Sequence, residues 1–79
     1  MKISYDPRCN IAYVTFRDEP IQVKTIQVSE EINVDVAPDG SIYGIELLNA
    51  NIQLGALAGG KLILENEATG SKIEIALPR

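Results

Sequence analysis

Side chains able to do chemistry are few in this chain of 79 residues, which has no histidine and a single cysteine. They fall into three groups. Asp35, Asp39 and Glu46 are close in sequence and offer oxygen ligands of the kind that hold Mg²⁺ or Ca²⁺. Their segment lacks the regular oxygen-ligand spacing of a calcium loop. Asp39 is explained by the turn it occupies, and exposed carboxylates are the ordinary state of Asp and Glu. Cys9 stands beside Arg8, and a neighbouring cation can lower a thiol pKa. Without a histidine there is no conventional base to activate it, so a spectator thiol is expected. Asp6, with Tyr5 and Tyr13, precedes Pro7 and reads as turn chemistry, its carboxylate accepting a nearby backbone N–H. No glycine-rich loop follows a strand and opens a helix, so nucleotide binding has no motif behind it. The expectation is therefore a chain with no catalytic residue, no metal and no cofactor. Asp and Glu alone can do acid–base work only where burial tunes them.

The carboxylates of the first group must be positioned by the stretch from Ser29 to Ala50. Ile32, Val34 and Val36 alternate with Asn33 and Asp35, and Tyr43, Ile45 and Leu47 alternate with Gly44 and Glu46. A period of two is the signature of half-buried strands. Asp39-Gly40 between them suits a type I′ turn. A turn centred there pairs Val36 with Tyr43, Val34 with Ile45 and Ile32 with Leu47; a four-residue loop from Pro38 to Ser41 gives the same pairs. Six apolar side chains then share one face. Asn33, Asp35 and Glu46 share the other. A one-residue slip in one strand would mix these sets, so burial should fix the register.

The flanks read as further short strands. Lys2 to Asp6 puts Ile3 and Tyr5 on one face, and Asp6-Pro7-Arg8-Cys9-Asn10 breaks it. Ile11 to Arg17 follows, with Ala12, Val14 and Phe16 inward and Tyr13, Thr15 and Arg17 outward. Asp18-Glu19-Pro20 makes a turn. Ile21 to Val28 breaks alternation between Val23 and Ile26. Either a β-bulge near Lys24-Thr25 restores it, or the strand begins at Thr25 and Ile21 and Val23 belong to the turn. Around residues 51–58, Ile52, Ala56 and Leu57 have helical spacing and Asn51 is available as an N-cap, which predicts one or two helical turns. Lys61 to Asn66 and Ser71 to Leu77 form a second hairpin around Glu67-Ala68-Thr69-Gly70. Its register pairs Leu64 with Ile73, Leu62 with Ile75, Glu65 with Lys72 and Ile63 with Glu74. Pro78 stops it.

These elements predict a mainly β fold, with α+β as the alternative. It is an antiparallel meander of six to seven short strands curled into a sheet or half-barrel, with one short helical turn. The whole of 1–79 reads as one domain, comprising a core over 1–57 and an additional C-terminal hairpin over 60–77. Hydrophobic residues make up 46% of the chain but include one Phe and no Trp, so the core is aliphatic and small. A core of this size leaves about 3–5 kcal/mol of net stability, and a homodimer is a natural supplement. The net charge is −4, from eleven acidic and seven basic residues. That balance lacks the basic stripe of a nucleic-acid binder and suits a basic protein partner, although acidity also serves solubility. No apolar run is long enough for a membrane span, and the N-terminus lacks the apolar stretch of a signal peptide. A cytoplasmic location is the expectation.

The run MKISYDPRCNIAYVTF, followed by VSEEINVDVAPDGSIYGIELLNA, resembles a small bacterial and archaeal family known as domain of unknown function 2283. Its members open with Lys-Ile-x-Tyr-Asp-Pro and a hairpin. They continue through a strand ending in Asp, an Asp-Gly turn, and Gly-Ile-Glu-Ile-Leu-x-Ala. The matching residues here are Tyr5, Asp6, Pro7, Tyr13, Val34, Asp35, Asp39, Gly40, Gly44, Ile45, Glu46 and Ala50, and the resemblance covers roughly residues 1–57. Two departures stand out. Arg8-Cys9-Asn10 replaces the usual acidic residues after the proline, and the second hairpin lies beyond the usual core. The family has no established activity. Some members look like the antitoxin half of toxin–antitoxin pairs, so the resemblance implies an antitoxin-like interaction module. The alternative is a self-associating structural or small-ligand-binding domain that uses a strand edge or the segment from Asn49 to Ala58. Of the outward residues, Asn33, Asp35 and Glu46 are those folding does not obviously require, and they form the candidate interaction surface.

Overall fold

The computed structural model describes residues 1–55 and 60–76. Seven strands and one short helix follow in the order β1 (Lys2–Asp6), β2 (Ile11–Thr15), β3 (Lys24–Gln27), β4 (Ile32–Val36), β5 (Ile42–Leu48), α1 (Ala50–Gln53), β6 (Lys61–Asn66) and β7 (Ser71–Ala76). The fold is mainly β and antiparallel, as the alternation predicted. The strands divide between two sheets. One has five strands in the order β1-β2-β5-β4-β3, and the other is the β6-β7 hairpin. The five-stranded sheet departs from a simple meander because β5 returns to pair with β2, leaving β3 at the far edge.

The central register holds where burial fixes it and shifts where the turn does. Val34 faces Ile45 and Ile32 faces Leu47, but Val36 faces Ile42 across an irregularity, so Tyr43 is absorbed as a bulge. The turn explains the shift. A two-residue loop on Asp39-Gly40 would need an N–H from Pro38 to close it, and proline has none. Ala37 closes it instead, donating to the Ser41 carbonyl at 2.8 Å, while the Gly40 N–H returns to the Ala37 carbonyl at 2.9 Å. Pro38 and Asp39 then occupy a type I turn, and only Gly40 takes positive φ, at 88°. This three-residue loop is out of phase with the apolar pairing by one residue, and the bulge at Tyr43 reconciles the two.

β3 runs from Lys24 in regular register with β4, so Ile21 and Val23 precede the strand and no bulge forms at Lys24-Thr25. α1 is one helical turn, within the expected length, and starts earlier than Asn51 as an N-cap would allow. Its N-cap is Asn49 rather than Asn51, in left-handed conformation and with no side-chain cap of its own. Asn10 supplies that function from a distance. Its Oδ1 accepts the Asn51 N–H at 2.8 Å, and its carbonyl accepts the Ala50 N–H at 3.1 Å. Gln53 closes the other side, donating to the Glu31 carbonyl at 3.0 Å and to the Leu48 carbonyl. The predicted contributions of Ala56, Leu57 and Ala58 to this helix, and the stop at Pro78, fall outside the described residues.

Parity places Ile3, Tyr5, Ala12, Val14, Ile26, Ile32, Val34, Val36, Ile45 and Leu47 on one face of the five-stranded sheet. No second layer covers it among the described residues. Among the described residues, the buried apolar side chains are those of Ala12, Ala37 and Ala50 alone. Phe16, expected inward, is 44% exposed just past the end of β2. The second hairpin has the predicted register throughout, including Glu65 opposite Lys72 with 3.4 Å between their charged atoms. Every one of its residues is exposed. Among the described residues no helix is long and apolar enough to cross a membrane.

Candidate interaction surface

The face opposite the apolar one carries Tyr13 and Thr15 from β2, Thr25 and Gln27 from β3, Asn33 and Asp35 from β4, and Gly44 and Glu46 from β5. Asn33, Asp35 and Glu46 are thus brought together as the alternation predicted. Asn33 lies opposite Glu46 and donates from Nδ2 to its Oε1 at 2.9 Å. Asp35 receives two hydroxyls, one on each carboxylate oxygen. Tyr13 donates to Oδ2 at 2.5 Å from two strands away, and Thr25 donates to Oδ1 at 2.6 Å from the neighbouring strand. Asp35 therefore links β2, β4 and β3 across the width of the sheet.

Gly44 permits the longer of these reaches. It stands on β5 directly between Thr15 and Asp35, and the Tyr13 ring lies over it. A Cβ at position 44 would fall 2.5 Å from two ring carbons of Tyr13 and closer still to the hydroxyl. Glycine is required here by close approach, not by backbone conformation. Burial and the Asp35 carboxylate together hold the Tyr13 phenol well above its ordinary pKa of 10.0, so it remains a donor. Among the described residues, the side-chain donors to Asp35 and Glu46 are all uncharged. No ion pair among the described residues involves either carboxylate.

Asp39 and Asp6 do different work. Asp39 accepts both the N–H and the hydroxyl of Ser41, at 2.9 and 2.6 Å, which holds its pKa below the usual 3.8. Arg17 bridges from the β2 end to Glu19 at 2.6 Å and to Asp39 at 3.5 Å, tying the connection after β2 onto the β4-β5 turn. Asp39 is therefore not part of the Asp35–Glu46 face. Asp6 accepts the Arg8 N–H at 2.9 Å and its guanidinium at 3.2 Å, the turn role expected of it, and these contacts lower its pKa. Arg8 is thereby directed to Asp6. Cys9 is exposed beside it. No group of three or more Cys, Asp or Glu side chains among the described residues is placed to hold a metal ion.

A cleft of about 470 Å³ opens at the β3 end of the apolar face, lined by Val23, Lys24, Ile26, Val36, Ala37 and Pro38 among others. Among the described residues that line it, Lys24 is the ionisable one. Sequence reasoning missed Tyr13 and Thr25 as partners of Asp35. The parity that puts them on the outward face was readable, but the β2-β5 adjacency that brings Tyr13 within reach has no local signature.

A family model described as protein of unknown function (DUF2283) matches residues 2–51. The match takes in the five-stranded sheet and the start of α1, and it ends before the second hairpin. No curated protein and no solved structure matches the chain.

Proposed function

From the premise that this chain belongs to the DUF2283 family, we propose that it is a non-catalytic, antitoxin-like interaction module whose acidic face binds and neutralises a basic protein partner. One observation carries the reading. Asp35 and Glu46 are held in fixed positions on one sheet face by Tyr13, Thr25 and Asn33, all uncharged donors, and among the described residues neither is paired with a cation. A preorganised acidic face lowers the ordering cost of binding and steers a cationic partner into register. The net charge of −4 acts in the same direction at longer range.

The test is a pull-down with the protein encoded by the neighbouring gene, using the full chain and its Asp35→Asn/Glu46→Gln variant. The expected result is binding that weakens as salt is raised and is reduced in the variant, with relief of growth arrest when both proteins are co-expressed. No binding, together with no relief of arrest, overturns the proposal. A second reading is self-association, and the uncovered apolar face of the five-stranded sheet favours it.

A further inference from the structure

We propose that two copies of this chain associate reciprocally, the β6-β7 hairpin of each seating its apolar stripe on the uncovered sheet face of the other. This rests on the self-association reading and names its surfaces. Both surfaces are on the same chain. The hairpin carries Leu62 and Leu64 opposite Ile75 and Ile73 on one face, and these four side chains are between 36% and 62% exposed. Its other face carries Ile63, 53% exposed, among Lys61, Glu65, Lys72 and Glu74, whose two cross-strand ion pairs make it the more polar of the two. A two-stranded hairpin alone is marginally stable in water, and it needs a layer to pack on. Among the described residues, no element forms a layer over the sheet face that carries Ile3, Val14, Ile26, Val34 and Ile45, of which Ile26 is 45% exposed and the others are half-buried.

The exposed area matches what a dimer would cover. A folded monomer of 8.6 kDa exposes about 4,700 Å² by the usual scaling of surface with mass. This chain exposes 5784 Å². The excess of about 1,100 Å² is close to the roughly 800 Å² that each partner contributes to a stable interface. Among the described residues, the hairpin does not pack on the sheet of its own chain. Gly60, the residue before β6, packs so closely on the Leu54 and Gly55 carbonyls that a Cβ there would fall 2.6 Å from the Gly55 oxygen. This places the start of the hairpin beside the C-terminal end of α1. A two-fold pair satisfies both at once, because each stripe meets the other copy's sheet and no third component is needed. The cleft beside Ile26 and Val36 provides the seat for an aliphatic side chain of the partner hairpin.

Sedimentation equilibrium on the full chain tests this, with Leu64→Lys/Ile73→Lys on the hairpin and, separately, Ile26→Lys on the sheet. All three side chains are about half exposed in the single chain, so the sheet should survive each change, and amide exchange of β4 and β5 verifies that it has. The expected result is a wild-type dimer near twice 8.6 kDa, with each variant weakening dimerisation about 100-fold or more, as loss of a central apolar contact does. A wild-type monomer at all concentrations overturns both the self-association reading and this inference. A dimer that survives Leu64→Lys/Ile73→Lys pairs sheet to sheet, and one that survives Ile26→Lys pairs hairpin to hairpin. Either overturns the inference while leaving self-association standing.

Discussion

At the scale of single residues, the outward face turns on how Tyr13 reaches Asp35 across Gly44. Removing the hydroxyl in Tyr13→Phe takes away a partner of a half-buried carboxylate and should cost about 0.5–1.5 kcal/mol. The pH dependence isolates the bond. A phenol whose pKa is raised in the fold ionises first in the unfolded chain. Its contribution is therefore complete below about pH 10 and is lost as pH climbs from there towards the folded value. The stability gap between wild type and Tyr13→Phe, measured by urea unfolding, should narrow above pH 10. Gly44→Ala tests the same contact sterically. With Tyr13 present, the new methyl displaces the ring and should destabilise by about 1–3 kcal/mol. In a Tyr13→Ala background the clash is gone, and the better strand residue should stabilise by about 0.5–1 kcal/mol. A double-mutant cycle reads that reversal directly.

At the scale of elements, the sequence was most legible where one face is apolar and the connection local. The alternation of Ile32, Val34, Ile45 and Leu47 set the hairpin register correctly, and the same reading was correct throughout β6-β7. The turn departs from it because Pro38, whose missing N–H decides which residues close the loop, overrides the Asp39-Gly40 preference. The helix was misplaced for a related reason. Its cap comes from Asn10, some forty residues away in sequence, and no local pattern announces that. The Asn10 side chain both caps α1 and tolerates a φ of 57°. Asn10→Ala loses both and should cost about 2 kcal/mol, from a lost cap and a strained left-handed backbone. Asn10→Gly keeps the conformation and loses only the bond, so about 1 kcal/mol is expected. In both variants the Asn51 amide should exchange faster than in wild type, which distinguishes loss of the cap from a general loosening of the sheet.

At the scale of the whole molecule, the aliphatic composition announced a small core, and the structure shows where that core ends. Strand order was not legible, since the β2-β5 pairing joins segments about thirty residues apart and alternation says nothing about which strands are neighbours. The consequence is a sheet with one face that is polar apart from Ile11 and Leu48, and an apolar face that three buried alanines do not fill. If a second copy completes that face, stability becomes a property of the pair and depends on concentration by mass action. Unfolding entropy near 2.1 cal/mol/K per residue sets the scale. Over both chains of a dimer, a tenfold rise in protein concentration should raise the unfolding midpoint by about 4 °C. Calorimetry across a hundredfold range would show about twice that. The Leu64→Lys/Ile73→Lys chain should melt lower and at a temperature independent of concentration, because its five-stranded sheet then unfolds alone. A wild-type midpoint that stays constant over the same range would mean that the apolar face is tolerated bare, and that the stability of the sheet comes from its ladders and from the Tyr13–Asp35–Thr25 bonds across its polar side.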